Sequence, residues 1–266
     1  MSYETITVEK KDYIALLTLN RPERLNAVTA KLCQEFMAAI DEIDKDDNAR
    51  VLIITGAGRA FCSGADVQGM TGGSEATGDA GKGTDMQRAI VGPQMVQALQ
   101  KMKKPTIGMV NGVAAGGGAA LALACDIRMG CENSRFLNAF VKIGLASGWG
   151  GPWLYPRAMG LGKACEILFT GDFLEAQEAD KIGVLNHLVP AAELKKETIA
   201  LAKKIADGPP IAIGITKRQV YQGLGTNLDS ALADADEAEN ITLTSEDHKE
   251  GVAAFREKRK PNFKGI

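Results

Sequence analysis

Residues 110–126 read VNGVAAGGGAALALACD, and the rest of the chain is organised around them. The apolar run just before, residues 106–110, has the length and composition of a buried strand. Asn111-Gly112 breaks it, three glycines follow at 116–118, and residues 119–125 are too rich in alanine and leucine for anything but helix. A glycine-lined turn feeding a helix leaves unpaired backbone N–H groups, and the positive end of the helix dipole, beside whatever sits there. Such a turn binds anions or stabilises negative charge as it develops on an oxygen. Glycine also serves close packing alone, so the pattern takes its meaning from the rest of the chain.

The 266 residues suffice for one sizeable domain, or one domain with an appendage. A formal net charge of −2 argues against nucleic acid as the main ligand, and no apolar run is long enough to span a membrane. The first residues, MSYETITVEKKDY, lack the apolar core of a signal peptide, so a cytoplasmic protein is expected. The five cysteines (33, 62, 125, 131 and 165) show no CxxC pairing and read as reduced core residues rather than disulfides or metal ligands. With only His187 and His248 there is little material for a histidine-rich metal site, and none is expected.

Residues 3–8 and 14–20 read as a short hairpin around a charged turn. After the loop NRPERLNAV, Thr29 caps a helix over 30–43 with Leu32, Phe36, Ala39, Ile40 and Ile43 at helical spacing. The run VLIIT, residues 51–55, fits a strand buried on both faces. GAGRAFCSGADV follows. Its G-x-G opening lacks the third glycine of a dinucleotide site, because Phe61 stands there. The segment instead repeats the logic of the organising stretch: apolar strand, glycine turn, then a chain able to start a helix near Ala65. Two such units could aim two N–H groups at one point, the minimum equipment of an oxyanion hole.

Residues 68–84 hold six glycines without periodic apolar positions, the pattern of a loop over the site; the spacing of a P-loop is missing. An amphipathic helix over 85–103 carries Ile90, Met95, Val96, Leu99 and Met102 on its apolar side. Residues 127–130 form a short strand, 136–160 a long turn-rich segment with Trp149 and Trp153, and 171–190 a helix, a stop at Gly183 and a strand. Helices follow over 191–207, 210–224 and from Leu228 onward, with Ser245 as a cap. Strands before 190 and helices after it suggest a core over 1–200 and a helical appendage over 201–266 for contact between subunits.

LNRPERLNAV, ITGAGRAFCSGADV, VNGVAAGGGAALALACDIR, GDFLEAQEADKIGVLNHLVP and FREKRKPNF, in that order, resemble the crotonase (enoyl-CoA hydratase/isomerase) family over essentially the whole chain. The resemblance implies an α/β fold, a crotonase-like spiral of ββα units with a C-terminal helical trimerisation region, assembled as a homotrimer or dimer of trimers. It implies an acyl-CoA substrate, with CoA part of that substrate and no further cofactor. The family's two oxyanion donors match the amides of Ala65 and Gly117. Acyl-CoA contacts match Arg24, Leu25, Ala27, Asp66, Val67 and Gly116, and Phe255 and Lys258 match residues that reach a neighbour's CoA.

Departures from the family pattern are informative. The two glutamates of its hydratases match Ala120 and Phe140, and an aspartate of several isomerases and dehalogenases matches Gly148; a neighbouring aspartate position is Ser147. Water addition needs a general acid and base, so two-glutamate hydration is not expected here. Three readings stand: enolate chemistry with a proton-transfer group such as Ser147, Tyr155, Asp66, Glu75, Asp79 or Asp85; an oxyanion hole with substrate or bicarbonate as base; or a catalytically silent acyl-CoA-binding protein. A thioester hydrolase is a further possibility. Trp149 and Phe140 are expected to line a dry aromatic pocket that selects a bulky or cyclic acyl group.

Overall fold

The computed structural model describes residues 3–66 and 85–266, with the backbone alone for 85–91. Val67 and the glycine-rich loop over 68–84 therefore lie outside the described residues, as do the side chains of Asp85 and Ile90. The N-terminal hairpin forms as expected from β1 (Ile6–Lys11) and β2 (Ile14–Leu19), antiparallel with Ile6 opposite Leu19. Thr29 does cap the first helix, α1 (Ala30–Lys45), where its Oγ1 accepts a hydrogen bond from the Leu32 amide at 3.2 Å.

From β2 onward the chain winds in repeating turns, each adding a long strand to one sheet, a short strand to another, and then a helix. The first turn is β3 (Val51–Gly56), β4 (Ala60–Cys62) and α2 (Asp85–Lys101). The second is β5 (Thr106–Val110), β6 (Val113–Ala115) and α3 (Gly117–Ala124). The third is β7 (Ile127–Gly130), β8 (Arg135–Leu137), α4 (Gly151–Met159) and α5 (Leu161–Thr170). Then come β9 (Phe173–Glu175), α6 (Ala176–Lys181) and β10 (His187–Leu188). The six-stranded sheet has the order β1-β2-β3-β5-β7-β10 and is parallel from β2 on; the four-stranded sheet has the order β4-β6-β8-β9. This is the α/β spiral of ββα units.

The larger sheet is buried on both faces, which explains why VLIIT alternates nothing. Leu52 and Ile54 face one core with Leu17, Phe36 and Leu121, while Val51 and Ile53 face a second with Ile107 and Met109. That second core is closed by α7 (Leu194–Ala206) through Leu194, Ala202 and Ala206. The boundary expected at residue 200 thus falls inside a helix of the core; the helices set apart begin at α8 (Pro210–Gly223), followed by α9 (Leu228–Leu243) and α10 (Glu246–Glu257).

One reading needs correction, and another falls largely outside the described residues. Ala65 itself forms an isolated parallel bridge with Val28, and the helix start expected near it runs into residues 67–84, which are not described. The segment over 136–160 is more regular than its glycines and prolines suggest, because α4 begins on Gly151-Pro152, with proline in the first turn where its missing N–H costs no intrahelical bond.

A buried polar cluster fastens α8 to the core. Lys217 Nζ lies 2.8 Å from Asp126 and donates to the carbonyls of Leu99 and Lys104, each at 3.0 Å. The Tyr221 hydroxyl donates to Asp126 at 2.6 Å, and Thr106 donates to the same carboxylate through its amide and hydroxyl. Removing one member leaves the other charge buried without its partner. Lys217→Met is therefore expected to cost about 3–5 kcal/mol in urea unfolding; a loss under about 1 kcal/mol, the scale of a surface pair, would show that the cluster does not hold α8.

Candidate active site

Three turns meet where β4 and β6 begin, and two asparagine side chains bind them together. Asn26, fully buried, donates through Nδ2 to the carbonyls of Ala57 and Ala60 at 2.9 and 2.8 Å and accepts the Arg21 amide on Oδ1 at 3.0 Å. Asn111 donates to the carbonyls of Gly56 and Gly58, both at 2.9 Å, and accepts the Gly56 amide. The loop over 20–28, the turn after β3 and the turn after β5 thereby hold one another in place. Neither asparagine figured in the sequence reading as more than a turn former. Each follows a recognisable signal, LNAV before a capped helix and VNG after a strand, but the signal marks the turn and not its partner.

Within this frame the segment 63–66 is held against the loop over 20–28. The Ser63 amide donates to the Leu25 carbonyl at 3.0 Å, the Val28 amide to Gly64 at 2.7 Å, and the Asp66 amide to Val28 at 3.1 Å. In a parallel ladder successive amides face opposite ways. The Ala65 amide therefore faces away from Val28, unpaired among the described residues. Gly64 has φ +89°, and a Cβ placed on it would stand 2.7 Å from the Ala115 carbonyl and 3.2 Å from the Gly117 nitrogen. Only glycine allows that approach. Gly117 opens α3, whose first hydrogen bond runs from the Ala120 amide to the Gly116 carbonyl, so the Gly117 amide has no helical acceptor.

Two aromatic rings flank these amides. Atoms of the Phe140 ring lie 3.7 Å from the place a Cβ on Gly116 would take and 3.2 Å from that on Gly148. The Trp149 indole presses on Gly117, with Cδ2 and Cε2 only 2.7 Å from its absent Cβ. Trp149 is 8% exposed, whereas Trp153 is exposed and stacks under Arg157. Ala120, buried in α3, presents only a methyl group.

Hydrogen bonds join the loop carrying Arg24, Leu25 and Ala27 to the segment carrying Ala65 and Asp66, and close contacts join that segment to Gly117, Gly117 to Trp149, and Gly116 and Gly148 to Phe140. Phe255 and Lys258 stand apart. Phe255 is 86% exposed on α10, and Lys258 caps that helix with φ +55°. Arg21, which the sequence reading passed over, ion-pairs with Asp66 at 3.3 Å and donates to the Ala27 carbonyl. Among the proton-transfer candidates, Ser147 donates to Asn138 Oδ1 at 3.1 Å. Tyr155 is buried with its hydroxyl unpartnered among the described residues, and burial pushes the phenol above its ordinary range. Glu75 and Asp79 lie outside the described residues. A separate cavity of about 870 Å³ lies between α8 and the ends of α1 and α2, away from the α3 head. Among the described residues no helix is long and apolar enough to cross a membrane, and no cluster of three or more His, Cys, Asp or Glu is placed to hold a metal.

A family model described as enoyl-CoA hydratase/isomerase matches residues 9–266. The chain is 34% identical over 264 residues to a crotonyl-CoA hydratase of Syntrophomonas wolfei, covering 99% of both proteins. It is 36% identical over 253 residues to a 1,2-epoxyphenylacetyl-CoA isomerase of Escherichia coli, covering 95% of both. In structure it is similar to an enoyl-CoA hydratase from Bacillus anthracis, with a TM-score of 0.92, 31% identity and coverage of 99% of this chain and 100% of the other. A match across nearly the full length, in sequence and in fold, shows that the chain belongs to the enoyl-CoA hydratase/isomerase family.

Proposed function

We propose that the amides of Ala65 and Gly117 form an oxyanion hole for the carbonyl oxygen of an acyl-CoA thioester, and that the protein acts through the enolate this hole stabilises. The observation that supports the reading is the approach of Gly64 to the Gly117 nitrogen, which brings the segment carrying the Ala65 amide against the head of α3. As an electron pair moves from the α-carbon bond toward the thioester, charge gathers on the oxygen, and donors already in place favour that state over the substrate. Each is worth about 3 kcal/mol by analogy with other oxyanion holes.

Ala120 and Phe140 offer no proton to the reacting carbons, so two-glutamate water addition is not part of the reading. Ser147 and Tyr155 are the hydroxyl candidates for proton transfer among the described side chains, and Asp66, held by Arg21, is the carboxylate beside the hole. Arg24, Leu25, Ala27, Asp66 and Val67 are assigned to the CoA moiety. The same aromatic and methyl wall favours one second reading, a member that binds acyl-CoA without turning it over.

Incubating binding acyl-CoA esters with the protein in heavy water separates the two. Enolate chemistry puts deuterium on the α-carbon; tight binding without any incorporation supports the silent protein, and release of free CoA would reveal a hydrolase.

Assembly as a homotrimer or dimer of trimers rests on the apolar edge of the appendage. Val220 in α8, Leu224 at its end, and Leu228 and Leu232 in α9 are each more than half exposed. Exposed apolar residues on two packed helices suit a contact surface. Phe255 and Lys258 then extend toward a neighbour's CoA. Replacing Leu228 and Leu232 by aspartate is expected to yield monomers by light scattering with weakened CoA binding. An unchanged mass, or monomers that bind CoA as tightly as the native protein, would remove the assembly or the shared site respectively.

A further inference from the structure

The Trp149 indole has a second support besides Gly117. In α2, a Cβ on Gly92 would lie 2.1 Å from Trp149 Cε2 and 2.2 Å from Cζ2, so no larger residue fits there with the ring in place. Gly92 and Gly117 form a notch, one glycine on each of two neighbouring helices, and the indole fills it.

Several local preferences are broken at this one ring. Trp149 itself has φ +55°, a left-handed conformation that costs a residue with a Cβ about 1 kcal/mol, and Gly150 beside it has φ +76°. Gly92 is followed by Pro93 inside α2, two of the poorest helix formers in succession. A buried tryptophan needs none of this for packing alone. Coincident departures from local preference mark sites kept for function.

We infer that Trp149, seated between Gly92 and Gly117, is the end wall of the acyl pocket and limits the acyl group to short or ring-shaped ones. The inference rests on the proposed thioester site. With the carbonyl oxygen at the Gly117 amide, the first acyl carbons lie beside Gly117, and the route between α2 and α3 is occupied by the indole. A short chain or a flat ring stays between Phe140 and Trp149. A long chain must displace the indole from a notch that already encloses it. Gly92 is thereby a specificity-determining residue, since with Gly117 it decides how deep the indole sits.

The test is calorimetric binding of free CoA, butyryl-CoA, benzoyl-CoA and decanoyl-CoA to the native protein and to Trp149→Ala, Trp149→Phe and Gly92→Ala, with thermal unfolding as a fold control. The native protein is expected to prefer butyryl- and benzoyl-CoA over decanoyl-CoA. Trp149→Ala, by admitting further methylenes, raises decanoyl-CoA affinity about tenfold or more while butyryl-CoA changes little. Trp149→Phe falls between them, and Gly92→Ala weakens all three esters without affecting free CoA. Equal native affinity for the three esters, or an unaltered preference in a folded Trp149→Ala protein, overturns the end wall but leaves the thioester site standing. If free CoA and every ester fail to bind, both the site and the wall fall.

Discussion

The structure depends on the closeness of two turns that are far apart in sequence. Gly64 and Gly117 approach until no side chain fits between them, and everything proposed for the site follows from that contact. It is produced by the winding of the chain. Successive turns add parallel neighbours to both sheets, so the turn after β4 and the turn after β6 emerge side by side. At the opposite ends of β4 and β6, Asn26 and Asn111 use their amide groups to satisfy carbonyls and amides that the turn after β3 leaves without ladder partners. Because buried polar backbone groups require partners, the two asparagines act as cross-links and fix the donors before any ligand arrives. Preorganisation of this kind is what gives an oxyanion hole its effect, since no reorientation is needed as charge develops.

Around this fixed centre the wall is apolar. The Phe140 ring packs against Gly116 and the Trp149 ring against Gly117, whereas polar side chains nearby are already engaged: Ser147 with Asn138, Asp66 with Arg21. In the proposed hole such surroundings lower the local dielectric and strengthen each amide's interaction with a developing oxyanion. The strained backbone at Trp149 and the glycine opposite it belong to the same economy of space, in which the helix head is open to an oxygen and closed to bulk.

Much of this was legible in the sequence. Apolar runs such as VLIIT and TIGMV are long enough to declare themselves as strands, and Thr29 and Ser245 announce helix starts by chemistry that is local. The three-residue strands β4, β6 and β8 were not legible, since three residues carry no period and their partners lie far along the chain. The bridge of Ala65 to Val28 was not legible for the same reason, being a tertiary pairing that no local preference records. At the site, the two glycine turns before and after residue 100 suggested a pair of donors, but the asparagine cross-links and the Arg21–Asp66 pair are products of the winding. The role of Gly92 was invisible, because a glycine inside a helical pattern reads as a defect until the indole that needs it is seen.

The most direct measurement is the infrared stretch of a carbon-13-labelled thioester carbonyl in a bound acyl-CoA. Two converging amides weaken that bond, so the band should move to lower frequency on binding and move back when Gly64→Val pushes the turns apart. A band at its solution frequency in a fully bound ester would contradict the account, because the oxygen would then be resting on water and not on Ala65 and Gly117.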